Sequence, residues 1–265
     1  MKFKNAPLIE LIAELRWGAP TVVFPSPSSQ THANLSTEVD SLANNFARLV
    51  GSAGYTLAER LIPFGAPQMP FQPTHRFRRA DTAQGMSLFS LGAGLFSANI
   101  TPPYQTWEAF RPVVALGVDA LLKSRTGDAV NQAFATVSLR YVNAFHANLT
   151  GGQSAVEFME MLGIRLSLPS ALEGRIDQSR KTKPMLLLSV PIDGNRTMNL
   201  NVGDATVNGQ EAVLMDNMVS SRELVAPTVE SVMTEFDAAR AVIHDVFVQS
   251  TRPIADLLQP ISGTD

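Results

Sequence analysis

No cysteine occurs among the 265 residues, which excludes disulfides, thiolate metal sites and cysteine nucleophiles. Charge of one sign is also scarce: the formal net charge is -3, too small for a global pull towards nucleic acid or an anionic membrane. Binding of that kind would need a local basic patch. No apolar run approaches the roughly 18 to 20 residues of a membrane span. The start, Met1-Lys2-Phe3-Lys4, is basic, but Glu10 and Glu14 interrupt the apolar stretch that a secretory signal requires. The expected compartment is therefore the cytoplasm, with no membrane partner.

Catalytic signatures are missing as well. Neither Gly-x-Ser-x-Gly nor Ser-x-x-Lys is present. The histidines His32, His75, His146 and His244 include no pair at the i, i+4 spacing of a helical zinc site. Gly92-Ala93-Gly94 lacks a third glycine and leads into a strand, whereas a phosphate cradle needs a helix N-terminus at that point. No metal and no cofactor is expected.

What is present is core material. Hydrophobic residues make up 45% and charged residues 17% of the chain, the balance of an ordinary globular protein. At this length roughly three quarters of the unfolded surface is buried on folding. Ile9, Leu11, Ala13, Leu15 and Trp17 alternate with Glu10, Glu14 and Arg16 as in a half-buried strand, although Leu8, Leu11, Ile12 and Leu15 would also form a helical stripe. Pro20 to Gln30 is a Pro/Ser-rich loop. Ser36 can cap a helix with the face Val39, Leu42, Phe46 and Leu49.

After a second loop, Pro63 to Thr74, strands are expected around Arg76 to Arg79 and Met86 to Leu91. A reversal at Gly92-Ala93-Gly94 then makes a hairpin with Leu95 to Ile100. Trp107, Phe110, Val114, Val118 and Leu121 have helical spacing, and Pro112 must lie in the first turn or kink that helix. Phe134 to His146 alternates again, with Ala135, Val137, Leu139, Tyr141 and Phe145 on one face.

Gly151-Gly152 marks a joint. Beyond it come a short helix near Ser154 to Leu162 and a basic loop, Arg175 to Lys183. Strands are expected at Met185 to Ile192, Thr197 to Val202 and Glu211 to Asp216. A last helix follows Pro227, with Val229, Val232, Met233, Phe236, Ile243 and Phe247 as its stripe. Strands followed by a long helix thus occur twice. The expected fold is α+β in two similar halves, 1–150 and 151–265, each an antiparallel sheet with a long helix packed across it, the two forming one compact unit.

The polar residues that need explaining are few. Glu10, Glu14 and His146 are the candidate acid–base groups of a hydrolase or nuclease, with Arg140 stabilising an anion. Ordinary cross-strand ion pairs account for the same residues at about 1 kcal/mol or less each. Asn143 lies on the apolar face of its strand, where burial demands partners for its amide, and it joins Arg16 and Arg140 as a binding candidate. The cluster His75-Arg76-Phe77-Arg78-Arg79 offers one aromatic among cations, a thin platform for single-stranded nucleic acid. Neutralised, solvated charge explains it and the 175–183 loop better, so nucleic acid is not the expected partner.

Asn5-Ala6-Pro7-Leu8-x-Glu10 with Arg16, the run from Gly94 to Asn99 on to Tyr104 and Trp107, and Leu139-Arg140-Tyr141-x-Asn143 resemble a sporadically distributed family of bacterial proteins of unknown function. The resemblance covers most of the first half. It implies a bacterial protein with no agreed activity, and patchy inheritance points by analogy to mobile or defence-related gene sets. The expectation is a non-enzymatic protein-interaction subunit, an antitoxin, immunity or defence-accessory protein, whose partner is another protein or a second copy. Tyr104 and Trp107 are expected to dock their helix onto the sheet.

Overall fold

The computed structural model describes residues 2–18, 29–63, 66, 68–80, 86–103, 106–177 and 179–261, with the backbone alone for Lys2 and 29–36. The first elements are β1 (Lys2–Phe3), β2 (Leu8–Trp17), α1 (Ser29–Gly51), β3 (Leu57–Arg60) and β4 (Pro73–Arg78). They are followed by β5 (Met86–Gly92), β6 (Leu95–Thr101), α2 (Trp107–Ser124) and β7 (Phe134–His146). The chain continues through α3 (Ala147–Thr150), α4 (Ala155–Met161), α5 (Ser170–Glu173), β8 (Met185–Ile192), β9 (Arg196–Val207) and β10 (Gln210–Ser221). It closes with α6 (Val229–Ser250), α7 (Ala255–Leu258) and β11 (Pro260–Ile261).

Among the described residues, nine strands form one antiparallel sheet in the order β3-β4-β5-β6-β2-β7-β10-β9-β8. The element order explains this layout. A strand, helical connection, strand meander and long helix run from β2 to α2, and the same series runs from β7 to α6. Each meander returns beside its own leading strand, β6 on β2 and β10 on β7. The two leading strands then pair with each other. The fold is α+β, and the two sheets expected from the sequence are joined through that seam into one. The Gly151-Gly152 joint follows β7, which is hydrogen-bonded on both sides.

Alternation along the strands sends one set of side chains to the helices. Leu11, Ala13, Leu15, Phe77, Phe89, Phe96, Val137 and Leu139 are buried together with Phe46, Phe110, Val114, Val118, Val232 and Phe236 of α1, α2 and α6. Burying each large apolar side chain contributes roughly 1.5–3 kcal/mol. Gly117 lets α2 ride close: a Cβ there would lie 2.5 Å from Phe89 Cε1 and 2.8 Å from Phe96 Cζ. A smaller cluster, with Phe145, Phe158, Val213, Met215, Ile254 and Leu258, packs under α3, α4 and α7.

Two expectations are revised, at α1 and Ala135, and the alternative left open at Pro112 is resolved. Helix α1 begins at Ser29, ahead of the Ser36 cap, and most of the Pro20 to Gln30 loop lies outside the described residues. Pro112 is the sixth residue of α2, inside the helix and beyond its first turn. Ala135 is exposed, because the register slips between Arg16 and Trp17: Arg16 faces Thr136, Trp17 faces Phe134, and Ala135 is the extra residue. Such a bulge reverses the alternation behind it, so Phe134 takes the inward position.

Candidate functional site

From Glu10 to Arg16 in β2, from Thr136 to His146 in β7 and along β10, the even-numbered residues turn away from the helices and meet one another. Arg140 lies opposite Ile12 on one side and Met218 on the other. Its guanidinium holds Asp216 through two bonds, Nε to Oδ1 at 2.7 Å and Nη2 to Oδ2 at 2.5 Å. The Asp216 side chain is 9% exposed and that of Arg140 44%, so the carboxylate is shielded while the cation keeps an open side. The bonds to Asp216 raise the Arg140 pKa against the effect of burial, with further support from the charges of Asp216, Glu10 and Glu14.

Glu10 and Glu14 therefore flank Arg140, each with a neighbour of its own. Asn99 Nδ2 donates to Glu10 Oε1 at 2.8 Å, and Ser97 Oγ donates to Asn99 Oδ1 at 2.8 Å. Arg16 Nε donates to Glu14 Oε1 at 2.7 Å, and its guanidinium stands 5.5 Å from the Phe71 ring. The ion pairs differ from the cross-strand set expected among Glu10, Glu14, Arg16 and Arg140: Arg16 pairs with Glu14 of its own strand, and Arg140 pairs across strands with Asp216. Asp216 ends a recognised strand, but its partner lies 76 residues away, and only β7–β10 pairing reveals it.

Two candidates stand apart. His146 is four residues beyond Val142, which faces Glu10, a distance of about 13 Å along the strand. Its Nδ1 lies 3.3 Å from the Glu211 carbonyl oxygen. Asn143 is 3% exposed on the helix side, opposite to Arg16 and Arg140, and its Nδ2 donates to the Met215 carbonyl at 3.5 Å. Its structural role is at the seam, where it faces both Leu8 and Met215. Nearby Asn217 is fully buried opposite Tyr141, and neither amide atom has a hydrogen-bond partner.

Most cations of the two basic clusters have an acidic neighbour. Arg76 and Arg78 approach Glu59 at 3.9 and 3.4 Å. Arg60 pairs with Asp40 at 2.7 Å, and His75 approaches the same carboxylate at 3.4 Å. Burial dominates at His75 and pulls its pKa down despite Asp40. In the second cluster Arg180 meets Asp177, Lys181 meets Glu211 and Lys183 meets Asp204.

Tyr104 lies outside the described residues. Trp107 docks α2 onto α6 as well as the core: its Nε1 donates to Asp237 Oδ1 at 2.8 Å, and its ring meets Phe236. Asp237 also receives three bonds from the Arg111 guanidinium, two of them shared by Nε. No group of three or more potential metal ligands exists among the described residues, and no described helix is long and apolar enough to cross a membrane.

A polar cleft of about 390 Å³ lies beside the start of α6, lined by Asn195, Glu223, Glu230 and Glu235 among others. Part of its polar lining is tied down: Asn195 Nδ2 donates to Glu223 at 2.6 Å, and Arg196 forks onto Glu235.

No family model matches the chain, and no curated protein does. A solved structure, the di-domain ARO/CYC StfQ from the steffimycin biosynthetic pathway, is matched at 10% identity over 94% of this chain and 98% of that one. The TM-score is 0.19, below that of a shared fold.

Proposed function

We propose that the protein acts by binding another protein chain and turns over no substrate. The observation that carries this reading is β8, one of the two edges of the sheet, which has no strand on its outer side among the described residues. Its sequence Met-Leu-Leu-Leu-Ser-Val-Pro-Ile is almost wholly apolar, yet Met185 is 84% exposed and Leu187 74%, with Leu188 and Val190 also exposed. A long apolar edge strand offers both unpaired backbone groups and side-chain contacts, so an extended segment of a partner adds to it as a further strand.

The polar face supports the same reading. Glu10 and Glu14 each have a local partner, and His146 is remote from both. Glu10, Glu14 and His146 do not converge on a common point. The antitoxin, immunity or defence-accessory setting is supported by the family resemblance alone.

The test is retention by the tagged protein in its native cells, wild type against Leu187→Arg. A stoichiometric protein chain is expected with the wild type and lost from the variant. Equal retention by both, or a stoichiometric metal or nucleotide with hydrolytic turnover, overturns the proposal.

A further inference from the structure

Resting on the reading that β8 docks a protein chain, we infer that this chain is a second copy of the protein, paired antiparallel through β8 about a two-fold axis at Leu188. The hydrogen-bond phase of the edge comes first. Asp204 N donates to the Pro184 carbonyl at 3.1 Å, and Met185 faces Gly203. In an antiparallel ladder this directs the backbone of even residues towards β9 and leaves that of Met185, Leu187, Ser189 and Pro191 facing outward. Pro191 fits this phase, since its nitrogen, which has no hydrogen to donate, faces the open edge where proline is tolerated.

A two-fold at Leu188 matches outward residues with outward residues. Leu187 faces Ser189 of the second copy and exchanges both backbone bonds with it, while Met185 N donates to the Pro191 carbonyl. Leu188 meets its own counterpart and Leu186 meets Val190, covering apolar side chains on both faces of the strand. The ends are complementary in charge. Lys183 precedes the strand and exposed Asp193 follows it, and this register sets each Lys183 opposite the Asp193 of the other copy. Lys183 is free to turn, being 77% exposed and only 3.5 Å-paired to Asp204. The edge is thus complementary to itself in hydrogen-bond phase, apolar contact and charge, as an isologous interface requires.

The experiment uses the purified full chain. Light scattering is expected to give twice 28.6 kDa, with hydrogen exchange slowed at the amides of Met185, Leu187 and Ser189. Leu187→Arg, at an exposed position, gives a monomer with an unchanged circular dichroism spectrum. Asp193→Lys raises the dissociation constant about tenfold, and adding Lys183→Asp in the same chain restores it. A monomer with freely exchanging β8 amides overturns the self-pairing, as does a dimer indifferent to both Leu187→Arg and the charge reversals. Either result leaves the wider docking reading to the retention experiment, which detects a different partner.

Discussion

Arg125 shows how a single residue can be held by packing where sequence offers no cue. It closes α2 at its C-terminus, 5% exposed, with its guanidinium 4.5 Å from the Trp17 ring and 4.3 Å from the Phe134 ring. One nitrogen donates to the Gln132 carbonyl at 2.8 Å, while Nε and Nη2 are buried without partners. Burial pulls its pKa down to about 10, so it remains a cation at neutral pH. A planar, weakly hydrated guanidinium can stack on rings and an ammonium cannot do so as well. Arg125→Lys is therefore expected to lower stability by roughly 1–3 kcal/mol. Arg125→Met, which removes the buried charge and keeps the packing, is expected to cost less. Urea unfolding of the two variants checks the order, and Lys tolerated better than Met would refute it.

At the level of elements, the joint between α2 and α6 rests on Asp237. Burial pushes its carboxyl pKa up, but the bonds from Arg111 and Trp107 and the charges of Arg111 and Arg240 bring it below the ordinary value. A depressed carboxyl pKa adds stability above the unfolded value, about 3.9, and that stability is lost as pH falls through the folded value. Both side chains of the Arg111–Asp237 pair are about two-fifths exposed, so the contribution is no more than about 1 kcal/mol. Wild type is expected to exceed Asp237→Asn in urea midpoint at pH 7, with the gap closing as pH falls below about 4. A gap of constant size would show that the ionised carboxylate is not what holds the joint. Trp107 was legible as a docking residue from its place at the head of a helical stripe. Its partner was not, because α2 and α6 are separated by over a hundred residues and meet only after both have packed on the sheet.

For the whole molecule, the seam between β2 and β7 matters most. One core contains Leu11, Phe46 and Phe96 from the first series and Val219, Val232 and Phe236 from the second. The two series share this core, so unfolding is expected to be a single transition. Far-ultraviolet circular dichroism and tryptophan fluorescence, from Trp17 and Trp107 in the first series, should share one urea midpoint. Two separated midpoints would mean independently stable halves. The free edge β8 belongs to the same scale: it is apolar, but only its place at the end of the sheet order makes it exposed.

Periodicity along the sequence determined the α+β class, the hairpin at Gly92 to Gly94, the α2 stripe and the central β7 strand, because alternation and helical spacing are local properties of a chain. It also brought out Glu10, Glu14, Arg16 and Arg140 as residues of one polar face. The tertiary structure decided which strands pair across the seam, that Asn143 faces the helices and His146 stands apart, and that Arg140 binds Asp216 and Arg111 binds Asp237. Those outcomes depend on register and on contacts between residues distant in sequence, and a shift of one residue in a strand exchanges its two faces. The sequence carries the pattern of each strand, and only packing selects its neighbour.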